Sequence, residues 1–223
     1  MGDAYMLAFD FWRLLATEED TLGDSVALAN PEVPLLLSNA AWFPREDDIQ
    51  CLAPWYSQRG ITPALVVPVV RNEALEKALR GSRFSLEHTF AFSALREPEA
   101  ETGLITEQVS WAQGRALGEH LAAHYGYPAY GVQFGIAITT AMQRCPRVVS
   151  YAAYDPHTDD LAGALIALET EHALVAMMTS GELGARLHQE AKRRGLQAHS
   201  FELLQRGGAL NHGDSLERWS LTG

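Results

Sequence analysis

The 223-residue chain is poor in cysteine, in positive charge and in long apolar runs, and each shortage removes a class of protein. Two cysteines, Cys51 and Cys145, cannot build a disulfide framework or a cysteine zinc cluster. A pair of free thiols suits a reducing compartment, so a cytoplasmic location is expected. Lysine and arginine total 17 against 28 acidic residues, a net charge of −11 at pH 7. Without a basic field to draw in phosphate backbones, no nucleic-acid partner is expected. Apolar runs such as Ala64 to Val70 fall far short of the ~20 residues that span a bilayer. The start Met1-Gly2-Asp3 has no basic region, and Met6 stands where a myristoylation signal needs a hydroxyl, so neither a leader nor a lipid anchor nor any membrane contact is expected. What remains is core material: 47% hydrophobic against 20% charged residues, enough for one large or two small domains.

Periodicity then divides the chain. Tyr5, Phe9, Trp12 and Leu15 recur at helical spacing ahead of the acidic cluster Glu18 to Asp20. Ser25 to Ala29 and Pro34 to Phe43 read as strands about the turn Asn30-Pro31. A helix over Asp47 to Arg59 stops at Gly60, a strand covers Ala64 to Val70, a short helix Asn72 to Leu79, and a strand Phe84 to Leu95. Pro98 to Gly103 is the expected linker, giving halves 1–98 and 103–223. The second half reads as a strand Leu104 to Val109, helices Trp111 to Tyr125 and Tyr130 to Gln143, then strands Val148 to Tyr154, Leu161 to Leu168 and Ala173 to Thr179. A helix Leu183 to Arg194 ends at Gly195; a strand Leu196 to Leu204, a turn at Gly207-Gly208 and a short helix Asp214 to Trp219 close the chain.

The order strand, helix, strand, short helix occurs in both halves, with Glu73-Ala74-Leu75-Glu76-Lys77 matching Asp214-Ser215-Leu216-Glu217-Arg218. Repeated order without sequence identity leaves duplication and chance both open, because surface helices favour such residues anyway.

Few clusters carry chemistry. His120 and His124 share a helix face at metal spacing but lack a third ligand, and Asp155, His157, Asp159 and Asp160 suit a Pro-containing hairpin turn better than a cation loop; no metal is expected. Neither cysteine has a histidine nearby in sequence, and both read as small apolar residues. Tyr125, Tyr127, Tyr130 and Phe134 serve equally as pocket lining or as core. The remaining feature is Thr179-Ser180-Gly181-Glu182-Leu183-Gly184-Ala185, a buried strand turning into a helix. Its unpaired N–H groups and the helix dipole can receive a phosphate, with Gly181 and Gly184 permitting close approach. The same residues are also explained if Ser180 simply caps the helix.

From Gly103 onward the element order resembles that of the GNAT superfamily of acyl-CoA-dependent N-acetyltransferases. Ser180 to Ala185 stands where that family binds the coenzyme pyrophosphate, the helix end Ala191-Lys192-Arg193-Arg194-Gly195 has the family's look, and Leu216-Glu217-Arg218-Trp219 resembles its last helix. The resemblance implies an α/β (α+β) fold, a mixed and mostly antiparallel central sheet with flanking helices. The first half would be a second, degenerate GNAT-like copy whose turn Phe43-Pro44-Arg45-Glu46-Asp47-Asp48 has three acids and no glycine. It further implies acetyl-CoA as cosubstrate, held by Met178, Thr179, Ser180, Gly181, Leu183, Gly184 and Ala185, and an amine as acceptor, whether a small molecule, a protein N-terminus or a lysine. Where the family has Arg or Gln, then glycine, this chain has Thr179 and Glu182; Leu216 replaces the family's tyrosine; only His172, beside Glu171 at the strand's start, offers a base. These departures point to the alternative, a catalytically inactive GNAT-like module for binding or dimerisation, and a homodimer is compatible with either reading.

Overall fold

An apolar stripe through Tyr5, Phe9, Trp12 and Leu15 has only one way to leave water, against a sheet. In the computed structural model, which describes residues 2–69, 73–95, 103–181, 183–203 and 215–222, those side chains are all buried on helix α1 (Gly2–Leu15). Chain contacts divide the molecule into two compact units, 1–91 with 203–223, and 92–202. The expected linker 98–102 and the turn Gly207-Gly208 lie outside the described residues.

In the first unit α1 is followed by β1 (Glu18–Leu22), β2 (Ser25–Ala29), β3 (Ala41–Trp42), α2 (Ile49–Ser57), β4 (Ala64–Pro68), α3 (Glu73–Gly81) and β5 (Phe84–Ala94). β1 pairs antiparallel with β2, and β2 with β3; β3 then pairs parallel with β4 across the α2 crossover. The acidic cluster Glu18 to Asp20, to which the sequence assigned no element of its own, lies in strand β1, held by its ladder to β2. Of the expected strand Pro34 to Phe43 only Ala41 and Trp42 are extended. The preceding residues instead place Asn39, whose side chain accepts the Asn30 N–H and donates to the Val33 carbonyl. The core gathers Leu52, Tyr56, Leu65, Leu79, Phe84 and Trp219.

The last of these belongs to a further correction. The segment expected as a short helix from Asp214 to Trp219 is, over its described residues, strand β11 (Ser215–Leu221), lying between β4 and β5 and antiparallel to both. Leu-Glu-Arg is good helix sequence, yet two flanking ladders and the burial of Leu216, Arg218 and Trp219 outweigh that preference. The match between Glu73 to Lys77 and Asp214 to Arg218 therefore joins a helix to a strand.

The second unit begins with the end of β5, residues 92–94, then β6 (Ile105–Val109), α4 (Gly114–His124), α5 (Gly131–Arg144), β7 (Val148–Tyr154), β8 (Leu161–Glu169), β9 (Ala173–Ser180), α6 (Gly184–Arg194) and β10 (Gln197–Leu203). β6, β7, β8 and β9 pair antiparallel in turn, and β10 runs parallel to β9. Ser110 and Gln113 form a capping box ahead of α4. The two helices meet backbone to backbone: a Cβ on Gly118 would lie 2.2 Å from the Gly135 nitrogen, so this contact admits only hydrogen. Asp155 accepts the N–H groups of His157 and Thr158, closing the β7–β8 turn as a side-chain-capped loop.

Candidate active site

β9 is apolar from Ala173 to Met178, Ala-Leu-Val-Ala-Met-Met, with Leu174 to Met178 all buried, as a strand covered on both faces requires. Its pairing is uneven. Toward β8 the register shifts between Ile166 and Ala167, Ile166 facing Met178 and Ala167 facing Ala176, so that Met177 is the extra residue of a bulge. Toward β10 the parallel ladder runs from Ala173 opposite Gln197 to Ala176 opposite Ser200 and stops there, although β9 continues to Ser180 and β10 to Leu203. Past the bulge the two strands part. An edge of β9 is thereby left without a strand partner, and an unpaired strand edge accepts any ligand able to continue the ladder.

Thr179 sits on that edge. Its N–H is donated to the Tyr125 hydroxyl at 3.1 Å, and the same hydroxyl donates to its carbonyl at 3.2 Å. Both polar groups of an extended residue point the same way, so this pair is turned from β8 toward the side that β10 has left. Tyr125 is the C-terminal cap residue of α4 and is 41% exposed. Burial pushes the phenol's pKa up, and the Thr179 bond pulls in the opposite direction.

Beyond Ser180 the chain turns through Gly181 at φ +71°, a conformation that favours glycine, and a Cβ there would stand a tight 3.0 Å from the Ala162 carbonyl oxygen. Glu182 lies outside the described residues. Leu183 is the N-cap residue of α6, and no described side chain caps the helix. Among the described residues the Leu187 N–H is the first to reach back, to the Leu183 carbonyl, and those of Gly184, Ala185 and Arg186 lie in the first turn of the helix. Ser180 does not cap α6. Its buried hydroxyl accepts the Ala164 N–H and returns to the Ala164 carbonyl, fastening the strand end to β8. Arg186, in the first helical turn, has a buried Nε without an acceptor in the described structure, a cation that the sequence reading passed over.

The seven expected coenzyme contacts thus form one continuous stretch, but not one kind of group. The side chains of Met178, Ser180 and Leu183 are buried and offer only backbone, whereas Thr179, Gly181, Gly184 and Ala185 reach the surface. His172 is not brought to them. It sits in the β8–β9 turn at the opposite end of β9, seven residues from Thr179 and so roughly 20 Å away. Tyr130 is exposed like Tyr125, while Phe134 is buried core. His120 has its pKa lowered by burial and then by the charge of His124, and among the described residues no three of His, Cys, Asp and Glu gather as a metal site.

The corresponding turn of the first unit is built for structure. Phe43 holds φ +58°, and Asp48, at the start of α2, accepts the Ser25 hydroxyl and the Asp24 N–H. A cavity of about 460 Å³ in this unit is lined by Ser85, Glu87, Arg218, Ser220 and Thr222 among others. Arg218 is already occupied, donating to the Leu36 carbonyl, Glu87 and Ser220, and burial lowers its pKa to about 10, still cationic at neutral pH.

No family model and no curated protein matches the sequence. Solved structures do. Against a GCN5-related N-acetyltransferase from Kribbella flavida, 100% of this chain and 97% of the other align at 12% identity with a TM-score of 0.65. A GCN5-related N-acetyltransferase from Sphaerobacter thermophilus aligns over 89% of this chain and 76% of its own, at 15% identity and 0.56. A functionally unknown conserved protein from Staphylococcus epidermidis ATCC 12228 aligns over 92% and 93%, at 12% and 0.58. The shared feature is the fold: a mixed, mostly antiparallel sheet with flanking helices, that of the GCN5-related N-acetyltransferases.

Proposed function

We propose that this chain, which has the fold of the GCN5-related N-acetyltransferases, uses its second unit to move an acetyl group from acetyl-CoA to an amine. The observation that carries the reading is the parting of β9 from β10 after Ala176, directly ahead of the start of α6, which no described side chain caps. The pantetheine arm continues the ladder along the open edge at Met177 to Thr179. The pyrophosphate lies on the N–H groups of Gly184 and Ala185, where the helix dipole and Arg186 favour negative charge. The amine nitrogen attacks the thioester carbonyl carbon; its C–N bond forms as the C–S bond breaks, the nitrogen loses a proton to water and the departing thiolate gains one. From Ala173 to Ser180 the strand carries no ionisable side chain and His172 is remote, so no residue of β9 acts as the base. The net charge of −11 favours a cationic acceptor through steering.

The bare strand also favours a second reading, a coenzyme-binding module without turnover. Calorimetric titration with acetyl-CoA tests the shared premise. Gly184→Asp is expected to abolish micromolar binding, because a Cβ there meets only Leu95 at 3.6 Å and the added carboxylate acts by charge rather than by bulk. Gly184→Ala keeps binding. No heat with the wild-type chain at millimolar coenzyme overturns the proposal. Thiol release with a panel of amines supports transfer, and binding without release supports the module.

A further inference from the structure

An extended ligand entering the open edge of β9 meets a side chain already there. The Tyr125 hydroxyl both accepts the Thr179 N–H and donates to the Thr179 carbonyl, two bonds made across 54 positions of sequence by one oxygen. We infer that Tyr125 is the specificity-determining residue of this groove, selecting ligands whose extended arm carries two successive amides; the inference rests on the coenzyme reading above. A phenol can be replaced at Thr179 without loss only by a group that also donates and accepts side by side. A single trans amide points its two groups apart, but two successive amides of an extended arm do so, as a neighbouring strand would, one giving its N–H to the Thr179 carbonyl and the other its carbonyl to the Thr179 N–H. An ester or thioester accepts only, and an ammonium donates only, so each strands one backbone group where the hydroxyl had satisfied two. The displacement is local, since Tyr125 ends α4, is 41% exposed and has no other hydrogen bond holding the hydroxyl among the described residues. In the free protein the hydroxyl keeps the edge from pairing with another chain, the hazard of any bare strand.

Titration of the full chain and its Tyr125→Phe variant with coenzyme A and with adenosine 3′,5′-bisphosphate, which has phosphates but no amide arm, tests the inference. Loss of the hydroxyl is expected to tighten coenzyme A about three- to ten-fold, the worth of roughly one hydrogen bond, and to leave the bisphosphate unchanged. Amide hydrogen exchange at Thr179, followed without ligand, is expected to quicken in the variant. If coenzyme A binds both proteins equally, or binds the variant more weakly, or if both ligands gain alike, the inference falls and the coenzyme reading stands. Equal exchange at Thr179 also overturns the inference. If coenzyme A binds neither protein, the coenzyme reading falls with it.

Discussion

Each unit runs an antiparallel strand into a crossover helix and a parallel strand, and each places a tyrosine hydroxyl where the parallel pair ends. In the first unit Tyr5 of α1 donates to the Val66 carbonyl of β4 at 2.7 Å and accepts the Phe43 N–H, just past β3, at 2.9 Å. The hydroxyl bridges the two strands as they part. Tyr5 is 8% exposed, and its ring packs against Trp42 and Phe43 at centroid distances of 5.3 and 5.1 Å. In the second unit Tyr125 bonds both groups of one residue, Thr179, and is 41% exposed. The first junction is sealed by a side chain that is part of the core; the second is covered by an exposed one, the group that a ligand would replace on the inference above. A gap between strands is thus a site only where its plug can leave.

The largest effect should come from removing the buried plug. Tyr5→Ala is expected to cost about 3–5 kcal/mol in urea unfolding, the range for truncating a buried aromatic, whereas Tyr125→Ala should cost less than about 1 kcal/mol. Similar losses at both positions would break the comparison. Next comes the turn. Gly181→Ala, forced into φ +71° against the Ala162 carbonyl, should cost about 1–3 kcal/mol; Gly60→Ala in the first unit, at φ +67° with open space around it, should cost no more than about 1 kcal/mol. Equal melting shifts would mean that the approach to Ala162 is not tight in solution.

A subtler difference is acid sensitivity. Glu190 on α6 is buried, and the Arg193 guanidinium, helped by Arg194, lowers its pKa from 4.5 to about 2 against the opposing effect of burial. Because the folded pKa is depressed, the stabilisation is whole above the unfolded value and is lost as pH falls from about 4.5 toward about 2. Glu190→Gln should flatten that part of the stability-against-pH curve; an unchanged curve would show that the acid loss lies elsewhere. The smallest effect is expected at Gly184→Ala, within about 0.5 kcal/mol by thermal melting, which separates the stability of α6 from its proposed use as a phosphate seat.

Much of the second unit was legible in its periodicity. Val148 to Tyr154 is a strand over the expected bounds, the helix ending at Gly195 has that residue left-handed at φ +71°, and the strand-turn-helix at Thr179 to Ala185 lies where the apolar run and the glycines place it. The functional geometry was less so. Ser180 looked like a helix cap because caps are defined by neighbours in sequence, yet its partner is Ala164 on the adjacent strand. Tyr125 offered no signal beyond being one of several aromatics after a helix, for its partner is 54 positions away. The acidic strand Glu18–Leu22 went unassigned and the final strand Ser215–Leu221 was read as a helix for one reason: a strand's stability resides in the ladder beside it, and neither segment shows the alternation that would announce one.

The sequence by itself determined the helices, whose hydrogen bonds close within a few residues, along with the glycine stops, the acidic balance and the apolar strands that need covering on both faces. Tertiary structure alone decided that β9 and β10 separate after Ala176, that Met177 bulges, that β11 completes the first unit's sheet, and that Tyr125 rather than Tyr130 reaches Thr179. Those outcomes depend on pairings between distant segments, where register and burial set the energy and local preference contributes little.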